Sequence, residues 1–438
     1  MAKDLTVGSV PGTMLRFSGP MILGNLLQQC YNIADTLIVG RVLGAEALAA
    51  VGSAYTLMTF LTSVLIGLCM GSSSVCSFYY GKKEPRAMGE SILAGLILIG
   101  TASVLMNAAV FAGLDGILSL LRVPEALYGM MREYVWVIFW GIFFVFLYNY
   151  YAFLLRAAGD SVTPLWFLGG ASVLNIVLDL WFVMVLNQGI KGAALATVIA
   201  QGVSGVGIVF YTWYKEPDLW PGLKLMRGAF MRMGETARFS AAASIQQSVM
   251  NFGILMIQGL VNSFGTAVMA AFAAAVKIDS FAYMPAQEFG NAFSFFISQN
   301  QGAGKKERTA LGVRSAVMIS AGFCLAASVL IFCFAPYLMQ IFINAGETEI
   351  IRVGVGYLRV EGSFYCGIGI LFLLYGYYRG IGKPEMSVVL TVISLGTRVL
   401  LAYMLAPIPA VGVWGIWWAI PIGWILADMT GFIVMRRL

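Results

Sequence analysis

The sequence contains no histidine, and only 11% of its 438 residues are Asp, Glu, Lys or Arg. A soluble chain of this length carries about 25% charged residues. Without histidine the chain lacks the commonest metal ligand and the commonest general base near neutral pH. The six cysteines (Cys30, Cys69, Cys76, Cys324, Cys333 and Cys366) are scattered through apolar segments with no metal-type spacing, and they read as free, small hydrophobes. A membrane enzyme built on HExxH or on His-rich boxes is therefore excluded, and no cofactor or resident metal is implied. The opening stretch MAKDLTVGSVPGTMLRFSGP also lacks the short apolar core and small-residue cleavage site of a secretory signal.

What the sequence does contain is apolar: 60% of residues are hydrophobic and the mean hydropathy is +0.84. Runs of about 20 apolar residues, long enough to cross a bilayer as a helix, recur along the whole chain. They are apolar all round rather than alternating, which favours helices over a strand barrel. The expectation is an all-α integral membrane protein with twelve transmembrane helices. The spans fall near 14–38, 46–79, 91–113, 133–155, 161–186 and 192–214, then 239–261, 266–299, 309–335, 356–378, 384–406 and 411–435.

The net charge of +6 follows topology and does not signal a nucleic-acid partner. With the N-terminus in the cytoplasm, Lys82, Lys83, Arg86, Arg156, Lys215, Lys224, Arg227, Arg232, Lys305, Lys306, Arg308, Arg379, Lys383, Arg436 and Arg437 all fall inside. The opposite loops receive only Arg41, Arg122, Arg132, Lys191 and Arg352. That asymmetry predicts both termini in the cytoplasm.

The chain repeats itself. GKKEPRAMG (81–89) recurs as GKKERTALG (304–312), an offset of 223 (304 − 81). RAAGD (156–160) and RGIGK (379–383), GIKGAALA (189–196) and GVWGIWWA (412–419), and EYVWV (133–137) and GYLRV (356–360) keep the same offset. GAEALAAVG (44–52) matches GTAVMAAFA (265–273) at 221. Each half holds six crossings, an even number, so the expectation is two parallel six-helix repeats. The halves are 1–214 and 239–438, joined by a charged cytoplasmic connector over 215–238. Lobes related in this way enclose a site and rock about it, which makes a transporter the default class.

Polar groups inside the spans are few. Span one carries Asn25, Gln28, Gln29, Asn32 and Asp35, span four Tyr134, span five Asn175 and Asp179, and span six Thr197. Asn175 and Asp179 are four apart and share a helix face, while Gln28, Asn32 and Asp35 form a stripe that cannot face lipid. A carboxylate in hydrocarbon costs about 2.5–3.5 kcal/mol on insertion scales. Two such acids, with no evident basic mate in that half, point to function rather than to helix–helix glue. Their oxygens suit a shared proton or a hard cation such as Na⁺. Pro20 removes a backbone hydrogen bond within span one and favours a kink.

The second half lacks these acids: Asn175 aligns with Arg398, Asp179 with Ala402, and the Asp35 region with NFGILMIQG. The ion-handling site is therefore expected in the N-terminal half alone. Glu288 suits either a cationic ligand or a salt bridge with Lys277 or Arg398, and Arg359 and Glu361 read as interfacial.

Over its whole length the chain resembles the multidrug and toxic compound extrusion (MATE) transporters, in the bacterial branch like the DNA-damage-inducible F proteins. FSGPMILGNLLQQCYNIADTLIVGRVLGAEALAAVG, FISQNQGAGKKER (296–308), RAAGDSVTPLWF and LNIVLD carry the resemblance. It implies a two-lobe, V-shaped fold in the bacterial plasma membrane, acting as a monomer on small amphipathic or cationic molecules by antiport against H⁺ or Na⁺. It also implies a coupling site of Asp35, Tyr134, Asn175, Asp179 and Thr197, with Pro20 as the family's first-helix proline and Gln28 and Asn32 as support. Some relatives carry coupling acids on helices seven and ten. Helix seven here offers Gln246 and Gln247, and the centre of helix ten has no acid, so a polar C-lobe site would draw on Gln246, Gln247, Lys277, Glu288 and Arg398. A lipid-linked precursor flippase of the same superfamily is the alternative. It would need a cationic cluster, for which only Lys277 and Arg398 are candidates.

Overall fold

Fourteen α-helices and no strand make up the described residues of a computed structural model, which are 4–120, 123 and 125–437. For Ala45, Thr56, Leu120 and Ala126 only the backbone is described, and Arg122, counted above among the outer charges, lies outside the described residues. In chain order the first seven helices are α1 (Val10–Val42), α2 (Ala45–Lys82), α3 (Pro85–Leu120), α4 (Glu125–Phe139), α5 (Ile142–Ala157), α6 (Val162–Asp179) and α7 (Gly189–Lys215). The remaining seven are α8 (Met226–Asn262), α9 (Thr266–Gly302), α10 (Lys306–Gln340), α11 (Thr348–Gly362), α12 (Tyr365–Gly380), α13 (Pro384–Leu405) and α14 (Val413–Met435).

All twelve expected spans are helical, and two of them are broken. α4 and α5 meet at a 45° bend, and α11 and α12 at a 52° bend. Both breaks sit at the repeat offset, since Phe139 and Gly362 end their helices 223 residues apart (362 − 139). Left-handed turns recur in the same register: Gly44 with Gly265, Gly159 with Gly382, and Gly189 with Gly412 all have positive φ, which glycine adopts without a Cβ clash.

Eight helices pass as membrane spans on length and hydropathy alone, and the two bent pairs bring the number to ten. The two that fall short are α1 and α8, the opening helix of each repeat. Their middles read GNLLQQCYNIAD and SIQQSVMNFG, where amides and hydroxyls replace aliphatic groups. The polar content of α1 is what lowers its hydropathy.

The chain forms two compact units that do not follow its halves. One is built on Gly19–Ser244, the other on Leu5–Ser18 and residues 245–437. Thus α1 changes unit next to Pro20, and α8 changes unit at Ser244. Within the second unit the start of the chain is tied down by side chains of α9 and α10. Gln299 Oε1 accepts from Leu5 N at 3.0 Å, Lys305 Nζ donates to Thr6 O at 2.8 Å, and Arg308 donates to the Val7 carbonyl at 2.8 Å and to that of Gly8 at 2.6 Å. Within the first unit the start of α8 is held in the same style. Arg232 pairs with Glu90 at 2.9 Å, and Ser240 and Ser244 donate to carbonyls of α2. A Cβ at Gly71 would lie 2.2 Å from Phe239 O, so only glycine admits so close an approach of α2 and α8.

Candidate functional site

In the first unit α6 is launched by Asp160, whose Oδ1 accepts from Val162 N and Thr163 N, each at 3.0 Å. After eighteen residues of helix, α6 ends at Asp179, and the backbone passes into a π-helical turn over Leu180–Val185. Such turns are rare and recur at functional positions. Asp179 is fully buried, Asn175 nearly so, and α7 brings in buried Thr197. With the Asn175 amide in the orientation that satisfies both its ends, its nitrogen donates to Asp179 Oδ2 at 2.7 Å. Its oxygen then lies 3.1 Å from Thr197 N and 3.2 Å from Thr197 Oγ1.

From α1, Asp35 reaches the same place and faces Asp179 within hydrogen-bonding reach. Two ionised carboxylates hold no hydrogen between them, so such a contact requires a shared proton or an inserted cation. No donor reaches Asp179 Oδ1. Neither acid takes part in an ion pair among the described residues. Tyr134 of α4 is buried, and both aspartates act on it electrostatically. The five residues inferred from sequence thus converge. Tyr31 joins them, its phenol hydrogen-bonded to Thr197 and close to Asp35 and Asp179. It precedes Asp35 by one helical turn, a spacing that would have placed it on the same face.

The supporting residues on α1 behave differently. Asn32 Nδ2 lies 3.5 Å from Gln29 Oε1 and 3.5 Å from Tyr55 Oη, so it turns to its own helix and to α2. Gln28 is exposed, and Pro20 lies within a helix that continues through it.

The second unit holds a pocket of its own at the matching station. Tyr357 stands at the repeat position of Tyr134 and Arg398 at that of Asn175, each 223 residues on (357 − 134; 398 − 175). The acids here come from other helices, Asp279 from α9 and Glu361 from α11. Both are buried, as is Arg398. Tyr365 donates to Asp279 Oδ1 at 2.6 Å, and the Tyr357 phenol bonds to both carboxyls. Tyr357 is itself wedged against Trp417, which stacks on Phe272. Arg398 acts on both acids electrostatically, and Glu361 Oε2 has no hydrogen-bond partner.

Glu361 is therefore a buried residue, contrary to its interfacial reading, since α11 is the first part of a span that continues past the bend after Gly362. Arg359, two residues earlier, is exposed, as is Lys277. Glu288 pairs with neither Lys277 nor Arg398 among the described ion pairs. It lies beside Arg379, which is buried and donates to Asn291 Oδ1 and Ser294 Oγ, each at 3.1 Å. Gln246 is buried and Gln247 half-buried on α8.

The MatE family model matches residues 20–181 and again 241–404. The two matches start 221 residues apart (241 − 20) and end 223 apart (404 − 181), the offsets of the internal repeat. The probable multidrug resistance protein YpnP of Bacillus subtilis is 33% identical over 399 residues, spanning 90% of this chain and 87% of that protein. DNA damage-inducible protein F of Escherichia coli is 30% identical over 183 residues, 42% of this chain and 40% of that protein. Among solved structures, a multidrug resistance MATE family transporter of the MOP superfamily in an outward-facing conformation matches with a TM-score of 0.89. That match has 25% identity and covers 99% of this chain and 97% of the other.

Proposed function

The chain belongs to the MatE family of multidrug efflux transporters, with their two-lobe helical fold, and from that premise we propose that it exports amphipathic, often cationic compounds in exchange for H⁺ or Na⁺. Members of this family are transporters and not enzymes. The exchange is coupled through Asp35 and Asp179.

The observation that carries this reading is the buried acid pair itself. Asp179 is wholly enclosed, one of its oxygens meets no donor, and its nearest charged neighbour is another carboxyl. Such a pair is stable in a low-dielectric interior only when a proton or cation neutralises it. Antiport needs an ion and a drug that favour different states of the carrier, and a neutralisable pair supplies that difference. Asn175 and Thr197 add the amide and hydroxyl oxygens that a proton network or a Na⁺ shell would use, and Tyr31 and Tyr134 close the pocket. The loop charges support a bacterial plasma-membrane orientation with both termini in the cytoplasm.

The test is transport in proteoliposomes with pH and Na⁺ gradients imposed separately. One of the two gradients should move a cationic dye in the wild type, and Asp35→Asn should abolish that movement. Gradient-driven dye transport at the wild-type rate in Asp35→Asn would refute the reading.

A further inference from the structure

Where α10 ends and α11 and α14 begin, the second unit carries an open cavity of about 810 Å³ that the transport site does not use. Arg352 and Arg359 line one side, seven residues apart on α11 and hence on one face, about 10 Å from each other along the helix axis. Gly356 lies between them. A Cβ there would come within 2.9 Å of Trp414 Cη2, so the glycine lets the indole rest against α11 between the two cations. Trp418 lines the cavity beside Trp414, and Phe332 of α10 lies under the Arg359 guanidinium, 5.3 Å from it.

Both arginines are exposed, and neither joins an ion pair among the described residues; Glu349, one turn before Arg352, stays unpaired with it. Two guanidinium groups on the first part of a candidate membrane span, floored by aromatic rings, have no carboxylate partner among the described residues. From this we infer that the groove binds an anionic phospholipid. Guanidinium groups bind phosphate oxygens in bidentate fashion, and tryptophan rings favour the level of the headgroups. A zwitterionic lipid brings its own cation to a site that already holds two, so the groove selects for net negative charge. Among the described residues the first unit has no counterpart. The positions matching Arg352 and Arg359 are Gly129 and Trp136, and the arginine near them, Arg132, is bound to Asp115 at 2.7 Å. The site therefore belongs to one unit only. Its assignment to the outer leaflet rests on the orientation proposed above, but the binding does not.

The experiment is native mass spectrometry of the purified full chain with equal amounts of phosphatidylglycerol and phosphatidylcholine. The wild type should retain phosphatidylglycerol over phosphatidylcholine about tenfold, the worth of one or two charge-assisted hydrogen bonds. The double substitution Arg352→Gln with Arg359→Gln should bring the ratio near unity, and each single change should fall between. Both positions are exposed, and an unchanged thermal transition will show that the variants fold. Equal retention of the two lipids by the wild type, or a preference that survives the double substitution, overturns the proposal. So does displacement of the lipid by glycerol 1-phosphate alone, which would mark a site for free phosphates. No ion gradient enters this measurement, so its failure leaves the antiport reading intact, and a failed antiport assay leaves the lipid site intact.

Discussion

The first unit brings Asp35 and Asp179 together with amides, hydroxyls and phenols around them, whereas the second brings Asp279 and Glu361 together with Arg398. The two pockets occupy matching stations of one repeated scaffold, since Tyr134 answers Tyr357 and Asn175 answers Arg398. Two differences set them apart: the acids come from other helices, and an arginine stands at the station of Asn175. The Arg398 guanidinium supplies one positive charge beside two carboxyls, so the second pocket balances part of its charge with its own residues. The first has no such residue among those described, and under the proposed function it takes its balancing charge from outside. One scaffold thus carries two buried acid pockets, one with an arginine beside the acids and one without.

The comparison breaks most visibly at Arg398. Replacing it with Gln leaves two buried acids without their cation and should destabilise the protein by about 3–5 kcal/mol, read as a lower unfolding transition in detergent. Unchanged stability would mean that Arg398 is not what holds Asp279 and Glu361. In the first unit Asp35→Asn should act the other way. It should leave the unfolding transition in place or raise it, since the remaining acid no longer needs a balancing ion shared with a second carboxyl. Export should fall about a hundredfold, the scale of a typical coupling free energy. Thr197→Val keeps the shape of its side chain and removes one oxygen from the pocket. It should raise the half-saturating ion concentration about tenfold in transport assays with little change in maximal rate.

Much of the fold is written in the hydropathy and in the offset of 223, and the offset also predicts where the bends and the left-handed glycines recur. The bends themselves escape a reading of composition. FWGIFF and EGSFYCG stay apolar or small through the break, and neither contains a proline. The same blindness made Glu361 look interfacial, because distance along the chain does not reveal that α11 is only the first part of a broken span. Tyr31 was passed over for another reason: an aromatic ring in an apolar run reads as wall, although its hydroxyl joins Thr197. Asp35, Asn175, Asp179 and Thr197 were legible because a polar group in a membrane span has to be explained. The crossing of α1 and α8 between units was not legible, since apolar periodicity says which face is buried and not against what.

The central claim is that the pair in the first unit gives up its balancing ion when drug arrives. Drug added to the purified protein in weakly buffered solution, with released H⁺ and Na⁺ followed by indicators, tests it directly. The account predicts about one ion released per drug bound, as expected for a pair sharing a single proton or cation, with none from Asp35→Asn and undiminished release from Glu361→Gln. Undiminished release from Asp35→Asn, or its loss in Glu361→Gln alone, would contradict the account and move the exchange to the second unit.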